Sequence, residues 1–175
     1  DRITKRAPYF VTLSTLRELM RTFAGSEEVG EAELEGLAVI AAEFLDLVAV
    51  VRKELRVETS HAERENSLAS AAVMMHGYAA LMRDYSLDLA SLGRDQARTL
   101  WKKRLELLSP TRTYEEDGWK GDFLSTANPL WSDVGITKVN PNSGKTTVLN
   151  TGGARSQAGR ALRRRLSDGA EPGVV

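Results

Sequence analysis

The sequence predicts a mainly α fold: a helical bundle of four to five helices, followed by a small C-terminal β-hairpin and a short basic helix. Three observations predict it. Apolar residues recur at three- and four-residue spacing over the first two thirds of the chain. Two β-branched runs then flank a turn-rich stretch, and an arginine-rich segment of helical period follows them. With 175 residues and 42% hydrophobic content, the chain can bury the core of one domain.

The first two helices are predicted from their periodicity. In STLRELMRTFAG (residues 14–25), Thr15 and Glu18 have capping-box spacing, and Gly25 is expected to end the helix. Its apolar stripe consists of Leu16, Leu19, Met20 and Phe23. The second helix, from about Glu31 to Arg56, is apolar on nearly all sides, so we expect it in the middle of the bundle.

Two more helical regions follow. The third helix is predicted to begin at Ser60, which opens a second capping-box pattern, and to run to about Tyr85. The fourth region, residues 86–109, is expected to break near Gly93 and to end before Pro110.

The pattern of residues changes after Pro110. Residues 111–135 have turn residues and no regular period, and they predict an ordered loop pinned by Trp119, Phe123 and Trp131. The runs GITKV and TTVLNT flank NPNSGK and predict a β-hairpin.

These features divide the chain into three parts. Residues 1–110 are expected to form the helical bundle, and residues 111–168 are expected to pack on it. Residues 169–175 are expected to be a disordered tail. Because the first residue is Asp rather than Met, we expect the chain to be a fragment, a processed product or a trimmed piece of a longer protein.

The hairpin contains Gly144-Lys145-Thr146, the three residues that end a nucleotide-binding P-loop. A P-loop needs a glycine five residues before its Gly-Lys pair, and that position is Val139. It also opens a helix, whereas Thr146 begins a β-branched run. We therefore interpret the segment as a hairpin turn.

No other pattern predicts catalysis, a metal site or a cofactor. The chain has no cysteine, which excludes disulfides, thiolate metal sites and a cysteine nucleophile. His61 and His76 are too far apart on one helix to share a metal. The acidic run at residues 115–117 has no partner histidine and is interpreted as a solvated turn. The longest apolar run, residues 36–51, is shorter than the roughly 20 residues that span a bilayer. We expect a cytoplasmic protein without an active site.

The charges balance overall but not locally. Residues 1–25 carry +3, residues 26–65 carry −7, residues 66–130 are neutral and residues 131–175 carry +4. A dipolar chain of this kind can orient on a polyanion, and an ordinary solvated surface is the alternative.

Basic residues form two rows at helical spacing, one near the C-terminus and one in the fourth helical region, with two lysines in the hairpin. Phosphates commonly meet such rows. The alternatives are a solvated helix face, or arginines packed against the acidic second helix. The candidate DNA contacts are Arg155, Arg160, Arg163, Arg164, Lys145, Lys138, Arg94, Arg98 and Lys102.

Three segments carry a family resemblance: FVTLSTLREL (residues 10–19), SHAERENSLASAAVMMHGYAALMRDY (residues 60–85) and LWKKRLELLSPTRTYEEDGWKGDFL (residues 100–124). Together with the hairpin and the arginine-rich helix, they resemble the C-terminal part of the DndB family. These are the DNA-sulfur-modification-associated proteins, also called DGQHR-domain proteins.

The resemblance implies a DNA-binding or regulatory role beside the phosphorothioation machinery, which replaces a non-bridging phosphate oxygen of DNA with sulfur. The Asp-Gly-Gln-His-Arg motif of the family belongs to an N-terminal domain similar to ParB-type domains, and this chain lacks it. Chemistry that the family owes to that domain is therefore not expected here.

We expect a non-catalytic DNA-associated regulatory domain that contacts backbone phosphates. The alternative is a protein-interaction or dimerisation module, in which the acidic helix of another chain docks on the basic surface and any enzymatic activity resides in a missing N-terminal domain. The expected partners are DNA, other sulfur-modification proteins or a second copy of the chain, and not a membrane.

Overall fold

The computed structural model describes residues 13–25, 31–56, 59 and 64–167. Over these residues it contains six α-helices and two antiparallel β-hairpins, which confirms the predicted mainly α fold with a small β-hairpin. The helices are α1 (Leu13–Ala24), α2 (Glu31–Val51), α3 (Ala72–Leu92), α4 (Arg94–Leu105), α5 (Pro129–Asp133) and α6 (Gly152–Ser167). The strands are β1 (Thr113–Glu116), β2 (Trp119–Asp122), β3 (Thr137–Val139) and β4 (Thr146–Val148).

The central helix of the bundle is α3. Residues 73–79 are buried without interruption, and α3 packs against α1, α2, α4 and α6. The predicted central position of α2 is wrong, because Val39 and Val50 of α2 are 60% and 67% exposed. Helix α3 takes the central position instead, because its small residues, Gly77 among them, let neighbouring helices approach it closely.

The closest approach is between α3 and α6. A Cβ atom on Gly77 would lie 2.7 Å from Leu162 Cδ1 and 3.3 Å from the carbonyl carbon of Ala158. On the facing helix, a Cβ atom on Gly159 would lie 3.2 Å from Ala80 Cβ. The two glycines therefore set how deeply the basic helix sits against the bundle.

The boundaries of α1 differ from the prediction at one end. The helix begins at Leu13, so Thr15 lies inside it and the predicted capping box is wrong. Gly25 ends it at φ 72°, as predicted, and its N–H donates to Arg21 O at 2.9 Å. Leu19 and Phe23 of the predicted stripe are buried, and the side chain of Leu16 lies outside the described residues.

The predicted continuous helix from Ser60 to about Tyr85 is wrong, because residues 66–71 are not helical and α3 begins at Ala72. The residues before it form tertiary hydrogen bonds instead: Leu68 N donates to Leu124 O at 2.7 Å, and Thr126 N donates to Asn66 O at 3.0 Å. Helix α3 continues to Leu92, past the predicted end near Tyr85. The predicted capping box at residues 60–63 and the predicted tail at residues 169–175 lie outside the described residues.

The break at Gly93 is confirmed. Gly93 has φ 80° and separates α3 from α4. A short 3-10 turn, Glu106–Leu108, follows α4 and ends before Pro110, as predicted. None of the described helices is long and apolar enough to cross a membrane.

Residues 111–135 are more ordered than the predicted loop. They form the hairpin β1–β2 and the short helix α5. Asp117 (φ 51°) and Gly118 (φ 79°) occupy the hairpin turn, and Asp-Gly is a preferred pair where both turn residues have positive φ. Phe123 and Trp131 are buried, as predicted for residues that pin this segment.

Arg52 connects this segment to the bundle. Its side chain is 0% exposed, and both terminal nitrogens donate to the Asp122 carboxylate at 2.8 Å. The same group donates to Leu108 O at 2.9 Å and Ser67 Oγ at 3.0 Å, and it lies 3.0 Å from Glu54. We call these contacts the Arg52 network.

Two glycine substitutions test the close approach of α3 and α6. Gly77→Ala is expected to lower the free energy of unfolding by about 1–3 kcal/mol, because the added methyl group meets Leu162 and the α6 backbone. Gly36→Ala in α2, where no atom lies within 4 Å of the added Cβ, is expected to raise it by about 0.5–1 kcal/mol. Chemical denaturation measures both, and effects of the same sign would contradict the packing described.

Candidate phosphate-binding surface on the C-terminal helix

Helix α6 is amphipathic, and its burial decides which arginines face solvent. Ala158, Leu162 and Leu166 are buried, as predicted. Thr151 caps the helix, because its Oγ1 accepts a hydrogen bond from Ala154 N at 3.2 Å. Arg160, Arg163 and Arg164 lie on the exposed side, whereas Arg155 is half-buried on the side that packs on the bundle. We use the name basic face for these four arginines together with the exposed hairpin lysines, Lys138 and Lys145.

Arg163 is held by a carboxylate of α3. Its Nε donates to Asp84 Oδ2 at 2.7 Å and its Nη2 to Asp84 Oδ1 at 3.0 Å, and Nη2 also donates to Ala80 O at 2.9 Å. The hydrogen bonds that Arg163 donates to Asp84 raise the pKa of Arg163. This fork fixes the guanidinium against α3.

Two other arginines of the basic face also have carboxylate partners. Arg164 Nη2 donates to Glu116 Oε1 at 2.6 Å, and Glu116 Oε2 accepts the Tyr114 hydroxyl. Arg155 lies 3.0 Å from Glu18 of α1. These acidic partners come from α1 and β1, far from α6 in the sequence.

The remaining cations of the basic face have no such partner. Within the described part of the chain, no carboxylate forms an ion pair with Arg160, Lys138 or Lys145, and all three residues are exposed. Arg160 lies between Arg163 and Arg164 in helical position. It is therefore the cation of α6 that is open to a phosphate.

The row on α4 has a different environment. Arg94 Nη2 and Arg98 Nη1 lie 2.8 and 3.0 Å from the two oxygens of Glu43 in α2, and Tyr85 OH donates to the same carboxylate at 2.8 Å. Burial alone would raise the pKa of Glu43, but the hydrogen bonds from Tyr85 and Arg94 lower it overall. Arg94 and Arg98 thus pack against the acidic second helix, which is the alternative to phosphate contact for this row. Lys102, the next residue of the row, is exposed.

The Gly144-Lys145-Thr146 segment is a hairpin turn, as predicted. Asn140 Oδ1 accepts hydrogen bonds from the N–H groups of Asn142 and Ser143 at 2.9 and 3.3 Å, and Gly144 has φ 65°. Thr146 begins β4 rather than a helix. The backbone N–H groups of this segment therefore do not form the phosphate-binding loop of a P-loop protein.

A hollow of about 290 Å³ beside the basic face contains a buried histidine that sequence patterns do not identify. His76 is 5% exposed, and its Nδ1 lies 3.3 Å from Thr22 Oγ1. Its Nε2 lies 3.3 Å from Glu18 Oε2, without the alignment of a hydrogen bond. Burial lowers the pKa of His76 and Arg155 lowers it further, while Glu18 opposes both effects. Only the packing of α1 and α6 on α3 brings these groups together.

Comparison with protein-family models, with curated proteins and with solved structures finds no match to this chain. Over the described residues, no group of three or more His, Cys, Asp or Glu side chains is placed to hold a metal ion.

The buried histidine makes stability depend on pH. Because the pKa of His76 is lower in the folded protein than in the unfolded chain, the unfolded state binds the proton first as the pH falls. The free energy of unfolding is therefore expected to fall between about pH 7 and pH 5.5, a window above the titration of the carboxylates.

His76→Gln is expected to flatten this dependence, because the variant has no imidazole to protonate. Urea denaturation at the two pH values measures it. If His76→Gln and the wild type lose the same free energy of unfolding between the two pH values, His76 is not the group that causes the pH dependence.

Proposed function

We propose that this chain is a non-catalytic helical domain that associates with DNA as a regulatory part of a DNA-sulfur-modification protein. Backbone phosphates bind to the basic face, with no base-specific contact. The observation that supports this most strongly is the position of Arg160, an exposed cation with no carboxylate partner in the described part of the chain, between two other arginines of α6. The sulfur-modification role rests on the family resemblance.

The ion pairs of the basic face are compatible with phosphate binding. Exposed ion pairs contribute only about 0–1 kcal/mol, so a phosphate can replace Glu116 at Arg164, which is 66% exposed, at little cost. Arg163 differs, since Asp84 and the Ala80 carbonyl fix it in place. In this proposal Arg160, Arg164 and the hairpin lysines bind phosphate, while Arg163 keeps α6 in position.

A second candidate function, a protein-interaction module, is favoured by the outer side of α2. Val39 and Val50 are exposed there with Ala38 and Ala42, and no described element covers them. In this alternative a protein partner or a second copy of the chain packs on α2.

The DNA proposal predicts a strong dependence of binding on salt. Fluorescence anisotropy with a generic duplex is expected to show affinity falling by orders of magnitude between about 50 and 200 mM salt, because bound phosphates release counterions. The double variant Arg160→Glu/Lys145→Glu is expected to weaken binding by more than about 10-fold and to reduce the salt slope by about 2.

The matched control is Lys103→Glu, the same charge reversal at an exposed position of α4, which is expected to leave binding nearly unchanged. Equal losses in both variants, or binding that does not depend on salt, would contradict the proposal. Sedimentation of the same samples tests the second candidate in the form in which a second copy packs on α2, which requires a wild-type mass above that of the monomer.

A further inference from the structure

A second hollow, of about 190 Å³, lies between the hairpin β1–β2, α5 and α6. We call it the α6 hollow. Its inner wall is apolar and consists of Phe123, Leu130, Val134 and Ala161. Its rim is basic and consists of Arg160, Arg164 and Arg165, with Gln157 beside them.

The apolar wall is held rigidly. The Phe123 ring packs edge-on against Tyr114 and Trp131, with centroid distances of 5.0 and 4.9 Å. Trp131 Nε1 and Asn128 Nδ2 both donate to Phe123 O, at 2.7 and 2.9 Å. The hollow is therefore formed before any ligand arrives, which lowers the entropic cost of binding.

The rim is formed by the guanidinium groups of three arginines. Arg165 lies over the Tyr114 and Phe123 rings, at 5.0 and 5.7 Å from their centroids, and its Nε donates to Leu107 O at 3.1 Å. Arg164 pairs with Glu116 outside the hollow, and Arg160 has no ion pair within the described part of the chain. Among the described lining residues there are three arginines and no carboxylate.

An apolar wall beside guanidinium groups selects for a particular ligand chemistry. The wall favours an apolar body, and the rim favours an anion, whose charge-assisted hydrogen bonds are stronger than neutral ones. The hollow is smaller than the roughly 300–1,000 Å³ of pockets for drug-sized ligands, so the body is limited to about one ring or one branched side chain.

We propose that the α6 hollow binds a small organic anion, with a single ring or branched aliphatic group against Phe123 and Leu130 and its carboxylate or phosphate on Arg160 and Arg164. This goes beyond the proposed function, since it requires no DNA. The same chemistry is offered by a free small acid and by the C-terminal residue of a polypeptide, and the probes below separate these two sources.

Isothermal titration of the full chain in the millimolar range tests the ligand class. Benzoate and phenyl phosphate are the probes for a free acid, and N-acetyl-leucine is the probe for a chain terminus. Benzyl alcohol lacks the charge, whereas acetate and inorganic phosphate lack the apolar body. We expect at least one of the first three to bind about 10-fold more tightly than all of the last three, because a hydrogen bond to a charged group and apolar burial each contribute. The tighter of the two probe types identifies the source.

Two variants tie this binding to the hollow. Ala161→Phe is expected to abolish it by filling the hollow, and Ala90→Phe, the same change at an exposed position of α3, is expected to leave it unchanged. Arg160→Gln changes an exposed residue and is expected to weaken probe binding about 10-fold. The control Lys102→Gln, at an exposed position of α4, is expected to leave probe binding unchanged.

If Ala161→Phe does not fold, the comparison of Arg160→Gln with Lys102→Gln decides whether the probes bind in the hollow. The proposal is overturned if no probe binds, if benzyl alcohol or the small anions bind as tightly as the probes, or if Arg160→Gln binds like Lys102→Gln. Loss of DNA binding does not bear on these results, because every probe is a small molecule.

Discussion

The buried guanidinium of Arg52 is the interaction on which the arrangement of the C-terminal half depends. Removing this charge from water costs several kcal/mol, and the cost is offset only when its donors meet well-placed acceptors. Asp122, Leu108 and Ser67 supply acceptors from other segments of the chain, and the nearby Glu54 adds a second carboxylate. Since Arg52 directly follows Val51, the last residue of α2, one side chain joins the end of α2 to the segment that follows the bundle helices.

This constraint extends to the surface that we propose as functional. Asp122 ends β2, so the Arg52 network fixes the hairpin whose first strand carries Tyr114 and Glu116. Glu116 pairs with Arg164 and accepts a hydrogen bond from the Tyr114 hydroxyl, and Tyr114 lines the α6 hollow. From the other side, the close approach at Gly77 holds α6 against α3. Helix α6 thus contacts both α3 and the hairpin β1–β2.

Local patterns predicted much of this fold. Periodicity and β-branched runs predicted the fold class, the hairpin β3–β4 and the inward face of α6 with Ala158, Leu162 and Leu166, because each depends on residues close in sequence. The start of α3 was not predictable in this way, since hydrogen bonds from Leu68 to a distant segment replace the expected helix. In contrast, the Asp-Gly turn of β1–β2 is readable from sequence and lies within the predicted loop.

The candidate site was predictable only in part. Helical spacing placed the arginines of α6 on one surface, but no local pattern identified Asp84 and Glu116 as their partners or separated Arg160 from its neighbours. Similarly, the apolar character of α2 indicated a central helix, whereas the small residues of α3 decided the packing. Long-range ion pairs and close helix contacts depend on the assembled chain, and they decide which of the basic residues are available to a ligand.

The most direct test of this account is the free energy of unfolding of Asp122→Ala compared with that of Glu115→Ala. Both remove an acidic partner from the same hairpin, but Glu115 pairs with Lys120 at the surface. Asp122→Ala is expected to lower the free energy of unfolding by about 3 kcal/mol or more, because it leaves Arg52 buried without its main counterion. Glu115→Ala is expected to lower it by less than about 0.5 kcal/mol. Similar small losses in both variants would contradict the central role of Arg52.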